Sequence, residues 1–350
     1  MRIHNPMATL FESKDQEDLL NKLGNPLEKL RTLIDWESFR PRLNKALEVK
    51  ENIKGGRPRL DVVMMFKVLV IQQLYNLSDQ STEFQIADRS SFRNFLSIKS
   101  IKGVPDEKTI WSFREQLSQS DQLRILFDDF HKRLSSHGLI ANTGKVVDAT
   151  IVKVPIQRNS KDENDKIKSG EVIPEWEATP NKARQKDTDA RWVKKHGKSS
   201  FGYKDHIKID RVSKLIDSYG VSPASEHDSQ KLEDLLSASD CGQTIYGDSA
   251  YRSSLQEQLI SKAGMKSRIH KKGYRSTPLT EKEKKSNKSR SRIRVRVEHI
   301  FGHMKKSMCG FEIRSIGLQR AKTQIGLKNL TYNMSRAVFL MSKKSKPIAL

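Results

Sequence analysis

The run Val146-Val147-Asp148-Ala149-Thr150-Ile151-Val152 constrains this chain more than any other stretch. Its β-branched residues predict a strand, and the apolar residues on either side of Asp148 predict a buried one. A lone carboxylate there is costly unless a cation, a metal or hydrogen bonds meet it. The fold must therefore build a covered sheet around a charge and supply that charge with a partner.

Upstream of Lys145 the pattern is helical. Asn25-Pro26 opens a helix carrying Leu27, Leu30, Leu33 and Ile34. Pro58 precedes an apolar helix from about Leu60 to Tyr75. Ser78 caps a helix to about Ala87, Ser91 to Leu96 forms another, and Pro105-Asp106 opens one to about Leu117. Ser120 caps a last helix, Leu123 to Leu134, which Gly138 stops. Arg89, Arg93, Lys99, Lys102, Lys108 and Arg114 lie among these short helices, a composition that suits either a DNA-binding helical module or a bundle with a basic face.

Downstream the pattern alternates. Residues 157–200 are polar with few apolar anchors, and predict a long loop. Tyr203 to Ile209 and Leu215 to Val221 predict a hairpin. A helix from Asp228, a short strand Thr244-Ile245-Tyr246 and a helix with Leu255, Leu259 and Ile260 follow. Lys271 to Arg290 reads as a basic linker, with long helices from about Ser291 to Met308 and from Gln319 to Met341. This order predicts an α/β fold, a mixed sheet with flanking helices, preceded by an all-helical amino-terminal domain. The expected boundaries are 1–140 and 141–345, with the loop insertion at about 156–200.

Charge narrows the partner. The chain of 350 residues carries a formal net charge of +23, and between Lys262 and Glu298 fourteen Lys or Arg face three Glu. Clustered positive charge points to a polyanion, with nucleic acid first among the candidates. Leu60 to Tyr75, interrupted by Lys67 and Gln72, is too short to span a membrane. The amino-terminal residues lack an apolar signal segment. Cys241 and Cys309 support neither a disulfide framework nor a cysteine zinc site, so a reducing cytoplasm is expected.

Two further carboxylates join Asp148. Asp248 follows Gly247 at the end of a short strand, where open α/β sheets place their sites. Glu298 lies on a helix flanked by Ile293, Val297, Ile300, Phe301, Met304 and Met308. Each has an ordinary explanation: a hydrogen-bonded strand aspartate, a helix cap, a solvated helix charge. Together they make a hard oxygen donor set that suits Mg²⁺, and two such ions serve phosphodiester chemistry. Arg294 and Lys305 fall on the same helical stripe as Glu298, where they suit phosphate contacts. Trp192 either stacks on an unpaired base or anchors the long loop.

These residues resemble the DDE-type transposases of bacterial insertion sequences, in particular the insertion-sequence-five family. Val146-Val147-Asp148-Ala149-Thr150 is similar to the strand with the first catalytic Asp. Lys186 to Trp192 and Phe201-Gly202-Tyr203-Lys204-Asp205-His206 are similar to the second-strand motif and its lead-in, and Ala224 to Gln230 also fits. Tyr246-Gly247-Asp248-Ser249-Ala250-Tyr251 resembles the segment with the second Asp. Arg294, Glu298 and Lys305 resemble the Tyr-Arg-Glu-Lys signature, with Ser291 where its tyrosine would stand.

The resemblance implies a ribonuclease-H-like catalytic fold with Asp148, Asp248 and Glu298 as catalytic metal ligands. It implies two Mg²⁺ ions, with Mn²⁺ as a substitute, and double-stranded DNA as partner at both element ends and target. It further implies a homo-oligomer on DNA, cleavage at the terminal inverted repeats, and joining of the 3′-hydroxyl to target in the cytoplasmic nucleoid. Arg294, Lys305, Trp192, Arg89 and Arg93 are the expected DNA contacts, the last two within the end-recognising helical domain. A non-catalytic DNA-binding regulator and a metal-dependent endonuclease are the rival functions.

Overall fold

A computed structural model describes residues 12–48 and 59–343, apart from Val172, His196 and Arg275. The amino-terminal residues read above for a signal segment, and Pro58, lie outside the described residues.

The first half forms α1 (Glu12–Lys22), α2 (Pro26–Leu33), α3 (Arg40–Ala46), α4 (Val62–Tyr75), α5 (Asp79–Asp88), α6 (Ser90–Leu96), α7 (Glu107–Ser118) and α8 (Gln122–Ser136). Local chemistry sets their starts. The side chains of Asn25, Asp61, Ser78 and Asp106 accept amides of α2, α4, α5 and α7. Ser120 does not cap α8 as predicted: its hydroxyl donates to the Leu117 carbonyl at the end of α7. Trp36, Phe39, Phe66 and Phe95 interlock at the centre of this half.

The second half begins with β1 (Lys145–Lys153). Then come α9 (Lys161–Ser169), α10 (Pro174–Ala178), α11 (Pro180–Ala183), β2 (Arg191–Lys195), β3 (Lys198–Asp210) and β4 (Ile216–Pro223). After these lie α12 (Leu232–Leu235), β5 (Thr244–Tyr246), α13 (Ser254–Lys262), β6 (Lys266–Ser267), α14 (Glu281–Lys306) and α15 (Leu318–Met341). Among the described residues the strands form one six-stranded mixed sheet in the order β2-β3-β1-β5-β6, with β4 also on β3. β1 runs antiparallel to β3 and parallel to β5.

Alternation along β1 explains why both faces are apolar. Val146 and Val152 join one hydrophobic cluster, and Val147 joins the other with Ile245, Tyr251, Ile260 and Ile269. The first cluster does not stop at the sheet: it runs from Leu27 and Phe66 through Phe130 to Ile207 and Leu330. Its axle is α15, buried nearly all round against α2, α4, α7, α8 and β4. Its polar residues are matched individually. Asn333 accepts the Ile216 amide and donates to the Ile216 carbonyl, both at 2.8 Å. Lys328 donates to the carbonyls of Gln73 and Met308.

Two segments differ from the sequence reading. The expected loop 156–200 holds α9 to α11 and strand β2. Ser160 and Glu163 form a capping box for α9, and the Glu163 carboxylate accepts from the Trp176 indole at 2.9 Å. The expected linker before Ser291 is largely helix. α14 starts at Glu281, capped by the Thr280–Glu283 box, ten residues ahead of the apolar stripe that marked it.

Candidate active site

Asp148 sits at the middle of β1, opposite Ile207 of β3, and is 8% exposed. Its Oδ1 accepts from the Ala149 amide at 2.8 Å, and its Oδ2 accepts from Arg294 Nη1 at 2.8 Å. Burial pushes its pKa up to about 6; the nearby Asp248 adds to the rise, while the Ala149 amide and Arg294 oppose it.

Gly247 delivers Asp248 to this place. β5 pairs with the start of β1, and a Cβ at residue 247 would stand 3.0 Å from Val147 Cγ2. Asp248 Oδ1 accepts the Ala250 amide at 2.8 Å and so caps the turn Ser249–Tyr251. The capping role and the approach to Asp148 therefore coexist. The Tyr251 hydroxyl is buried within the field of both aspartates and has no partner among the described residues.

Glu298 comes from α14, and its side chain is 48% exposed. Its Oε1 accepts from Arg294 Nη2 at 2.7 Å. One guanidinium thus links Asp148 to Glu298. Farther along the same stripe, Lys305 Nζ donates to Thr150 Oγ1 at 2.7 Å. Burial lowers its pKa, and repulsion from Lys153 and Lys195 lowers it further. Ser291, at the place of the signature tyrosine, donates to the Asn287 carbonyl and lies 3.4 Å from His270 Nε2. His270 was not singled out in the sequence, yet it stands in the fields of Arg294 and Asp248, with a pKa lowered chiefly by burial. The long connection from β6 carries no local pattern that marks it.

Among the described residues, no three Asp, Glu, His or Cys converge closely enough to enclose a metal ion by themselves. The donor set nonetheless fits a hard divalent cation. All three side chains offer carboxylate oxygens, and Mg²⁺ is commonly held by one or two carboxylates with waters and substrate phosphates. The buried Asp148 has one cationic partner while Asp248 adds negative charge, so a cation is electrostatically favoured there.

The remaining predicted residues divide between surface and scaffold. Trp192 on β2 is 45% exposed and rests against Phe201, with ring centroids 5.3 Å apart. Arg89 lies over the Phe92 ring at 5.1 Å. Arg93 spends its guanidinium on the Ile86 and Ala87 carbonyls at the end of α5. His206 is fully buried against Ser222 on the sheet face opposite Asp148, and His227 caps the turn Asp228–Lys231. Cys241 and Cys309 are free and exposed.

The second-strand motif proves architectural. Gly202 has φ +151, and a Cβ there would meet the Val152 carbonyl oxygen at 2.1 Å. Tyr203 donates to Asp187 Oδ1 at 2.7 Å, and Asp187 also accepts the Ala190 and Gly317 amides. Asp189 accepts the Leu318 amide, so the lead-in anchors the start of α15. Its aspartates needed the fold to be understood, because their partners lie about 130 residues away.

No helix among the described residues is long and apolar enough to cross a membrane. Residues 14–116 match the family described as a transposase domain, DUF772. Residues 142–334 match the family described as the transposase DDE domain. The solved synaptic complex of piggyBac transposase with hairpin DNA is similar at 12% identity and a TM-score of 0.45, over 94% of this chain and 78% of that one.

Proposed function

The chain belongs to the transposase DDE-domain family, and from that premise we propose that Asp148, Asp248 and Glu298 are the residues with which this DNA transposase cuts and joins strands. The observation that carries the assignment is the buried Asp148, placed mid-strand and linked to Glu298 by one guanidinium. The ribonuclease-H-like sheet, with helices on both faces, supplies the rigid base on which these carboxylates stand.

The three carboxylates would hold two Mg²⁺ ions, or Mn²⁺ in their place. When bound, the cations activate the attacking oxygen and stabilise the leaving one. The side chains do the rest. The Ala149 amide fixes Asp148. Arg294, once its carboxylates face cations instead, is free to take a phosphate oxygen, and Lys305 offers a point charge beside Thr150. Trp192, exposed on β2, would stack on an unpaired base. Water attacks at the element end first, and the freed 3′-hydroxyl then attacks the target. No covalent protein intermediate is needed.

Residues 1–140 would recognise the terminal inverted repeats, with Arg89 toward the DNA, and residues 141–345 would carry the chemistry. Within the family, the resemblance of its motifs supports the insertion-sequence-five group as the one to which the chain would belong. Its active form would be a homo-oligomer on DNA in the cytoplasmic nucleoid.

A strand-transfer assay tests this reading. Protein, Mg²⁺, DNA bearing the element's flanking terminal repeat and a supercoiled target should give joined products, and Glu298→Gln should give none. Hydrolysis without joining would make the chain a nuclease. Binding without chemistry would make it a regulator.

A further inference from the structure

The side of α14 turned away from Asp148 gathers cations that no carboxylate offsets. Lys288 and Arg292 are exposed on it. Arg296, one turn on, donates to the Arg211 carbonyl at 2.5 Å. Lys214 donates to His299 Nδ1 at 2.9 Å, and Arg336 of α15 donates to the Ser213 carbonyl at 2.7 Å. Among the described residues none of these cations, nor Arg211, forms an ion pair: Arg211, Lys214, Arg296 and Arg336 meet carbonyls, a histidine ring, the Tyr246 hydroxyl and the rings of Tyr246 and Phe339. Buried cations elsewhere in the same sheet are treated differently. Lys208 is paired with Asp240, and Lys145 with Asp217.

Holding such cations together costs repulsion. Lys214 registers it: its pKa is lowered, by burial first and then by Arg336 and Arg296. Carbonyl contacts fix Arg296 and Arg336 in place without neutralising them. The charge is therefore positioned and left available to something outside the chain.

Geometry separates this patch from the carboxylates. Arg294 and Arg296 are two residues apart on one helix, about 200° around its axis, so they face nearly opposite ways. The turn holding Lys214 follows Asp210, which pairs with Lys145 at the start of β1, roughly 10 Å along the strand from Asp148. Lys288 to His299 spans about 16 Å of helix, a length that meets several phosphates of a duplex. The cluster consists of backbone-seeking cations, and the nearby Asn287 is engaged with the main chain of Lys271. Lys and Arg along an exposed helix face suit contacts to phosphates.

We propose that this face binds a second length of duplex, the target DNA, by its backbone, while the element end lies at Asp148. The assignment of the second duplex as target rests on the carboxylate reading above.

The test is a variant with Lys214, Lys288 and Arg292 all changed to Gln. A control changes exposed Lys161, Lys168 and Arg184 to Gln, which alters net charge equally. Both should melt as the unmodified protein does. The probe is a random-sequence duplex of about 30 base pairs, titrated across salt. The patch variant should bind it about tenfold more weakly, with a salt slope shallower by about 3, and the control should change by less than about twofold. In the strand-transfer assay, the patch variant should cleave the element end normally and join it to target about tenfold more slowly at low target concentration. Equal losses in patch variant and control would overturn the proposal, since only bulk charge would matter. Loss of end cleavage in step with joining would overturn it too, because the patch would then hold the end. If Asp148→Asn cleaved normally, the carboxylate reading would fail, and the random-duplex titration would still decide whether the patch binds DNA.

Discussion

Arg294 donates to Asp148 Oδ2 at 2.8 Å across 146 residues of chain, and the other arm of its guanidinium donates to Glu298 four residues on. The buried strand thereby acquires the cation that its carboxylate requires. The same contact brings together two side chains that sequence spacing alone could not join.

Asp148→Asn, Asp248→Asn and Glu298→Gln should each abolish cleavage and joining. They should leave DNA affinity within about threefold, under roughly 0.7 kcal/mol. The amide keeps the shape of the carboxylate but not its charge, and cation binding needs the charge. Gel-shift titration beside a cleavage assay checks this. A parallel loss of affinity would place these residues in the DNA grip instead.

Binding to duplex should weaken steeply with salt. The formal charge of +23 and the run of cations along α14 imply several phosphate contacts, each of which releases counterion. Fluorescence anisotropy over a range of salt concentrations measures the slope, and a flat response would contradict an electrostatic grip.

Asp205 on β3 is completely buried, accepts from Asn329 at 3.0 Å and has its pKa pushed up to about 7 by burial. A carboxyl raised in the fold favours its protonated form there. Its stabilising contribution is full below the unfolded value of about 4 and is lost as pH rises through about 7. Asp205→Asn keeps the acceptor oxygen and removes the titration. The variant should therefore gain stability relative to the natural chain as pH goes from about 5 to about 8, by about 3 kcal/mol. Thermal unfolding at both pH values measures it. A gain that does not grow with pH would show that Asp205 titrates normally.

Asp187→Ala should destabilise the fold by about 2–4 kcal/mol, because the buried Tyr203 hydroxyl and the Gly317 amide lose their shared acceptor. Folded molecules of the variant should still cleave DNA. Urea unfolding together with activity per folded molecule separates the two effects, and lost activity at unchanged stability would make Asp187 a site residue.

Much of this was legible in the sequence because local chemistry agreed with the fold. Asn25, Ser78 and Asp106 start the helices predicted for them, and the β1 run, the hairpin and the strand before Asp248 are where alternation placed them. The misses were segments whose stability is not apolar periodicity. α9 is held by a capping box and one tryptophan contact, and the first three turns of α14 hold only charged and polar residues. Of the three carboxylates only Asp148 sits where its environment disfavours it; Asp248 caps a turn and Glu298 is half exposed, so the sequence marked these two through the motifs around them. Arg294 as their link, His270 beside them and Asp187 beneath α15 depended on distances that only the folded chain creates.

α15 has a consequence for how the protein is made. It fills the cores of the helical half and the sheet at once, and it occupies residues 318–341. During synthesis the amino-terminal helices emerge first, with α4 and α8 still lacking the helix that packs against them. Neither half is finished until that late segment leaves the ribosome. A chain interrupted before it would leave the cores of both halves open together.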